Sequence, residues 1–260
     1  MDLALGGKTV LVTGGAKGIG EAIVRELAAE GAVPVILDQD EEAGRSLRDE
    51  LSAASHRCEL VVGTLGEPDA CRMAVEEAAK VTGRIDGLVN NAGLNDGVSL
   101  ETGTAEEFLL SLRRNVLHYF EMAHFALPFL REAKGAIVNI SSKVAVTGQG
   151  GTSGYAASKG GILALTREWA IDLLPHEVRV NAVIPSEVIT PQYGSWLNTF
   201  PNPQEKLEKI VQNIPLGRRM TTAEEVAAMV VFLLSDRAGH VTGQYLFVDG
   251  GYVHLDRAST

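Results

Sequence analysis

Thr9-Val10-Leu11-Val12-Thr13 is a β-branched, apolar run that passes without a break into Gly14-Gly15-Ala16-Lys17-Gly18-Ile19-Gly20 and then into a helical pattern. A strand, a glycine turn and a helix in that order build a crossover unit, in which the helix returns over the sheet before the next strand pairs in parallel. Glycines at such a turn let the backbone bend tightly and approach a pyrophosphate, whose charge the helix N-terminus favours. Glycine also serves strand–helix turns for conformational reasons alone, and this segment by itself fits both uses. Its spacing, with glycines at 14, 18 and 20, stretches the first interval of the usual G-x-G-x-x-G to four residues.

The same rhythm continues along the chain. Further strand-like runs lie at 33–37, 58–62, 87–90, 136–140, 178–184 and 245–248, with helical patterns at 19–30, 41–52, 69–81, 105–130, 155–174 and 223–234. The runs are apolar throughout rather than alternating, as strands covered on both faces must be. An α/β fold follows: a doubly wound parallel sheet with helices on both faces. Pro34 sits at the start of its strand, where a missing N–H is tolerated, and Thr222-x-x-Glu225 forms a capping box for the last helix. Five of the nine prolines fall between Pro185 and Pro215, together with Trp196 and Phe200, which marks 185–215 as a lid or binding segment. Nothing in composition divides the 260 residues, so one domain, 1–260, is expected.

Charge narrows the partners. With 33 Asp and Glu against 23 Lys and Arg, the net charge is -10, the wrong sign for neutralising nucleic-acid phosphates. No apolar run approaches the ~18 residues of a membrane span. The first residues, Met1 to Lys8, have neither the basic flank nor the apolar stretch of a secretory signal. Cys58 and Cys71 read as buried thiols in a reducing compartment, and the cytoplasm is the expected address. His118, His124, His176, His240 and His254 lack metal-ligand spacing, and no metal is expected.

The second strand ends at Asp38, where a carboxylate can accept both ribose hydroxyls of an adenosine and repel a 2′-phosphate. Gln39, Asp40, Glu41 and Glu42 follow, so NAD is expected over NADP; Lys17, in the glycine turn, is the cation that can reach a 2′-phosphate. The fourth strand ends in Asn90-Asn91-Ala92-Gly93, small enough for a flat cofactor to pass close to the backbone, although Asn-Asn also serves plain turns. Tyr155-x-x-x-Lys159 opens a helix and places phenol and ammonium on one face, with Ser142 thirteen residues earlier at a strand end. A positive charge beside the phenol favours phenolate, a general base for alcohol oxidation, while Ser142 can hold the reacting oxygen. Alone, a Tyr and Lys four apart on a helix are an ordinary surface pair.

Thr13-Gly14-x-x-x-Gly18-Ile19-Gly20, Asn90-Asn91-Ala92-Gly93, Asn115, Ser142, Tyr155 and Lys159, in this order and at these intervals, resemble the short-chain dehydrogenase/reductase superfamily. The resemblance reaches Gly243 to Gly251 and so covers essentially the whole chain. It implies a Rossmann-type, seven-stranded parallel sheet in order 3-2-1-4-5-6-7, and a catalytic set of Asn115, Ser142, Tyr155 and Lys159. Asn115 is implied to interrupt its helix and to help hold a water leading to Lys159. The implied cofactor contacts are Gly14, Lys17, Gly18, Ile19, Gly20, Asp38, Thr64, Leu65, Asn90, Ala92, Gly93, Tyr155, Lys159, Pro185, Val188 and Thr190. Two departures stand out: Thr64-Leu65 where the superfamily usually has Asp near the adenine, and Pro185-Ser186-Glu187 where it usually has Pro-Gly.

A closer likeness lies in Asn95-Asp96-Gly97, Ser141 to Gly150, Thr166 to Ala170, Asn181 to Pro185 and Phe247 to Ala258, which look like bacterial L-fucose dehydrogenases. It implies oxidation of the anomeric hydroxyl of an L-fucose-like aldose to the lactone. Asn95, Asp96, Lys143, Gln149 and Glu187 would bring polar groups to a polyol, whereas a steroid or acyl pocket calls for aliphatic lining; each is also ordinary loop composition. Trp196 can stack on a sugar face or anchor the lid. Another superfamily activity, such as a hydroxysteroid dehydrogenase or a 3-oxoacyl reductase, and a cofactor-binding regulator without turnover are the rival readings. The resemblance and the apolar helices at 105–130 and 155–174 together suggest a homotetramer.

Overall fold

The computed structural model describes residues 2–255; Met1 and the Asp256-Arg257-Ala258 portion of the C-terminal likeness lie outside them. Strands β1 (Thr9–Thr13), β2 (Val33–Asp38), β3 (Glu59–Val62), β4 (Gly87–Asn90), β5 (Ala136–Ile140), β6 (Arg179–Pro185) and β7 (Tyr245–Val248) form one sheet. Its order is β3-β2-β1-β4-β5-β6-β7, every pair parallel. Pairing to β3 begins at Val35, so Pro34 meets no ladder partner on that side.

Alternate strand residues feed two cores. Val10, Val12, Ile36, Val138 and Ile140 pack with α1 (Gly18–Ala29) and α9 (Ala223–Leu234) on one face. Leu11, Val35, Leu37 and Ile137 pack on the other face with α3 (Ala70–Thr82), α5 (His118–Ala133) and α6 (Ser153–Leu173). Helix α2 (Glu41–Ala53) joins the first core through Leu47 and Leu51. The order reverses between β1 and β4, and the carboxyl ends of those strands open a crevice there.

The helix expected over 105–130 is not continuous. It is α4 (Ala105–Leu112), a five-residue π-turn at Arg113–Leu117, and then α5. Within the turn, the buried Asn115 donates its Nδ2 to the Ser111 carbonyl at 3.0 Å, the carbonyl that a regular helix pairs with the Asn115 N–H. Segment 185–215 holds two short helices, α7 (Pro191–Leu197) and α8 (Pro203–Val211). Each opens with proline in its first turn, after a Thr190 or Asn202 side chain that caps it. No helix among the described residues is long and apolar enough to cross a membrane.

Candidate active site

The glycine turn is held from β4. Asn91 donates its Nδ2 to the carbonyls of Thr13 (3.0 Å) and Gly14 (3.1 Å), and the Asn91 and Ala92 N–H groups both donate to Thr13 Oγ1. A Cβ at Gly20 would lie 2.0 Å from the Gly14 carbonyl oxygen, so that position admits no side chain. Gly14 and Gly18 adopt positive φ, 62° and 59°, which other residues take only with strain. No side chain caps α1 at Lys17, leaving first-turn N–H groups for an anion. The turn therefore fits a pyrophosphate. Gly20 acts by letting the turn close, not by lining the crevice.

Three adjoining hollows of about 580, 470 and 780 Å³ meet at Gly93. The first runs past Asp38, Thr64, Leu65 and His118, the second past Gly18, Tyr155, Lys159, Val188 and Thr190. Gly14, Asp38 and Ala92 border both. Asp38 accepts backbone N–H from Ala16 on one oxygen and from Asp40 on the other, each at 3.0 Å, so it ties the glycine turn to the end of β2. Lys17 reaches Asp40 at 2.5 Å, not Asp38. His118 is buried beside Thr64 and Leu65; its Nε2 meets the Arg114 carbonyl at 3.0 Å and its Nδ1 has no partner. Burial pushes this imidazole down to about 4.

Like Gly20, Asn90 does not line the crevice. The Asn90 side chain is buried between β4 and β5, where its Nδ2 donates to Asn139 Oδ1 at 3.0 Å. Alternation along β4 turns it into the interior, and Asn91 lines the second hollow instead.

Ser142, Tyr155 and Lys159 line the second hollow together. Lys159 is buried and donates to the Tyr119 hydroxyl (3.0 Å) and the Ile140 carbonyl (2.9 Å), its Nζ lying 5.6 Å from the Tyr155 ring centroid. Asn115 Oδ1 accepts the Leu94 N–H at 2.7 Å and stands 3.0 Å from where a Gly93 Cβ would be, with Lys159 Nζ 3.4 Å from the same point. Burial works against the expected lowering of the Tyr155 phenol by Lys159. Loss of solvent pushes Tyr155 up to about 12, opposed by a hydrogen bond from Ser142, and burial pushes Lys159 down to about 7. Desolvation penalises both charged forms.

The third hollow gathers the predicted substrate residues: Asn95, Ser142, Lys143, Gln149, Glu187 and Trp196 all line it. Asp96 does not; it accepts from Ser111 at 2.9 Å and faces α4. Lys143 and Glu187 form an ion pair with each other, and the second Glu187 oxygen accepts from the Tyr193 hydroxyl at 2.8 Å. Trp196 packs edge-on between Tyr193 and Phe200, with centroids 5.1 and 4.9 Å away, so it both faces the hollow and fastens α7. Sequence reasoning missed Tyr119, Tyr193 and Lys206. Tyr119, four residues after Asn115, carries a spacing signal; Tyr193 and Lys206 carry none, because only the fold brings 185–215 over the hollow. Among the described residues, no cluster of three His, Cys, Asp or Glu side chains is placed to hold a metal ion.

Comparison with known proteins then decides the family. A family model described as enoyl-(acyl carrier protein) reductase matches residues 14–253. The chain is 36% identical over 252 residues to a 3-oxoacyl-[acyl-carrier-protein] reductase of Thermotoga maritima, covering 96% of this chain and 100% of that one. The chain belongs to the short-chain dehydrogenase/reductase superfamily. Within this superfamily it is also 38% identical to the L-fucose dehydrogenase of Oryctolagus cuniculus, over 94% of this chain and 84% of that one. The crystal structure of Cj0485 dehydrogenase superposes with a TM-score of 0.94 at 45% identity, covering 99% of this chain and 98% of the other. Membership makes the chain an oxidoreductase acting on CH–OH groups with a nicotinamide cofactor.

Proposed function

We propose that this short-chain dehydrogenase/reductase oxidises the anomeric hydroxyl of an L-fucose-like aldose to the lactone, with NAD as cofactor. The observation that carries the reading is the buried ion pair of Lys143 and Glu187 on the wall of the third hollow, which Ser142 also lines. A hydrocarbon substrate would strand those charges away from water, whereas a polyol satisfies them. Names of relatives alone support both a sugar dehydrogenase and a 3-oxoacyl reductase; the Lys143–Glu187 pair favours the sugar.

The pyrophosphate fits the glycine turn and α1, the adenosine ribose Asp38, and the nicotinamide end Pro185, Val188 and Thr190. NAD, when bound, supplies the hydride acceptor. Ser142 holds the anomeric oxygen, and Tyr155 receives its proton as the C=O bond forms. Lys159, fixed by Tyr119 and Ile140, orients the ribose and supports negative charge on Tyr155, while Asn115 braces the Gly93–Leu94 wall. Fixing donor and acceptor carbons in line supplies much of the acceleration. Segment 185–215 acts as the lid.

Assembly as a homotetramer is supported by Leu109, Leu117 and Phe120, exposed at 64%, 39% and 49% on α4, the π-turn and α5. Light scattering reporting a stable monomer would overturn it. The cytoplasm remains the proposed site of action.

A spectrophotometric panel of aldoses, hydroxysteroids and 3-hydroxyacyl thioesters, each with NAD and with NADP, tests the activity. The expected result is fastest turnover of L-fucose or a close relative with NAD. Turnover of acyl thioesters or steroids with no aldose activity would overturn the reading.

A further inference from the structure

Lys143, Glu187 and Tyr193 arrive from three places, the turn after β5, the loop after β6 and helix α7, and meet on the wall of the third hollow. The Lys143 and Glu187 side chains are only 9% and 13% exposed. At that depth the attraction of an ion pair seldom exceeds the cost of desolvating it, so stability alone would favour apolar residues. The placement is nonetheless firm. The Glu187 carbonyl accepts the Thr221 N–H at 2.9 Å, the Lys143 carbonyl accepts from Thr147, and the Tyr193 N–H donates to Thr190 Oγ1.

The groups also keep spare capacity. Glu187 accepts from Lys143 on one oxygen and from Tyr193 on the other, and the ammonium faces the Tyr252 ring at 4.3 Å. A carboxylate offers about four lone-pair directions and an ammonium three protons, so each can serve another group. An acceptor and a donor side by side match a hydroxyl, which donates a hydrogen bond to the carboxylate and accepts one from the ammonium. Lys143 directly follows Ser142 and both line the third hollow, so the hydroxyl we assign to this pair is the one on the carbon next to the reacting one.

We propose that Lys143, Glu187 and Tyr193 form a clamp that reads the hydroxyl adjacent to the reacting carbon, making a vicinal diol unit the element of substrate recognised. The inference deepens the aldose reading and rests on it for the ring: there the anomeric hydroxyl and its neighbour supply the unit. A monohydric alcohol leaves the clamp without its partner after water is expelled.

The test measures kcat/KM on two matched pairs: L-fucose with its 2-deoxy counterpart, and butane-2,3-diol with butan-2-ol. The wild type favours the vicinal member of each pair by about 10- to 100-fold beyond the statistical factor. Glu187→Gln and Lys143→Met lower the vicinal member by that factor and leave the other within about 3-fold, so the preference collapses. Tyr193→Phe, which deletes one hydroxyl, produces a smaller loss of the same preference and serves if the charge variants do not fold. Equal losses on both members of a pair, or an unchanged preference, would overturn the clamp. Turnover of butane-2,3-diol with no aldose activity would sink the aldose reading and leave the clamp standing. Equal use of L-fucose and its 2-deoxy form would do the reverse.

Discussion

The Lys159 ammonium lies 3.0 Å from the Tyr119 hydroxyl, and both groups donate to the Ile140 carbonyl at the end of β5. A buried lysine needs acceptors, and a fully buried phenol supplies one of the two it has here. Tyr119→Phe keeps the ring and removes that acceptor. Stability should fall by about 1–3 kcal/mol, and turnover by about 10-fold as Lys159 loses its fixed direction. Thermal melts and steady-state kinetics check both, and unchanged kinetics would separate Tyr119 from the reaction.

Tyr155→Phe removes the proposed proton acceptor and little else. Cofactor binding, followed by quenching of protein fluorescence, should stay within a few-fold, while kcat falls by at least ~100-fold. Turnover near wild type would take Tyr155 out of the mechanism.

How much of this was legible beforehand follows from range. The parallel sheet and the Tyr155-x-x-x-Lys159 face rest on local pattern, the strand order on the family resemblance, and the structure has all three. The break at Arg113–Leu117 is a single turn between two helical segments, too short to interrupt the helical pattern on either side, and only the resemblance pointed to Asn115. Two adjacent asparagines look alike in sequence, while the pleat sends the Asn90 side chain inward and leaves Asn91 at the crevice. The Lys143–Glu187–Tyr193 meeting was invisible: the partners are 44 and 6 residues apart, and no short-range rule joins them.

Acid stability should carry the mark of His118. Its folded value, lowered by burial to about 4 from 6.5, means that between those values the unfolded chain binds a proton the native chain refuses. Stability therefore falls as pH drops through that window, by up to about 1.4 kcal/mol per pH unit from this residue. His118→Gln should flatten that part of the profile by up to one proton. Denaturant melts at half-unit steps from pH 4 to 7 measure the slope; an identical slope in the variant would assign it elsewhere.

Cofactor preference should track Asp38. Wild type is expected to favour NAD over NADP by ~10- to 1,000-fold in kcat/KM, and Asp38→Arg to move the ratio toward NADP more than Asp38→Ala does. Equal use of both by the wild type would remove Asp38 from ribose recognition. Lys17 is held by Asp40, so Asp40→Ala should narrow the gap by freeing that ammonium for a 2′-phosphate.

The two backbone bonds of Asp38 give that change an evolutionary consequence. The same carboxylate that faces the crevice also fastens Ala16 and Asp40. A lineage drifting toward NADP by replacing it would loosen the phosphate-binding turn in the same step, and single substitutions would be penalised before they were rewarded. The accessible route runs through an intermediate that first secures the turn by another means, so the proposed preference for NAD is protected by the scaffold and not by chemistry alone.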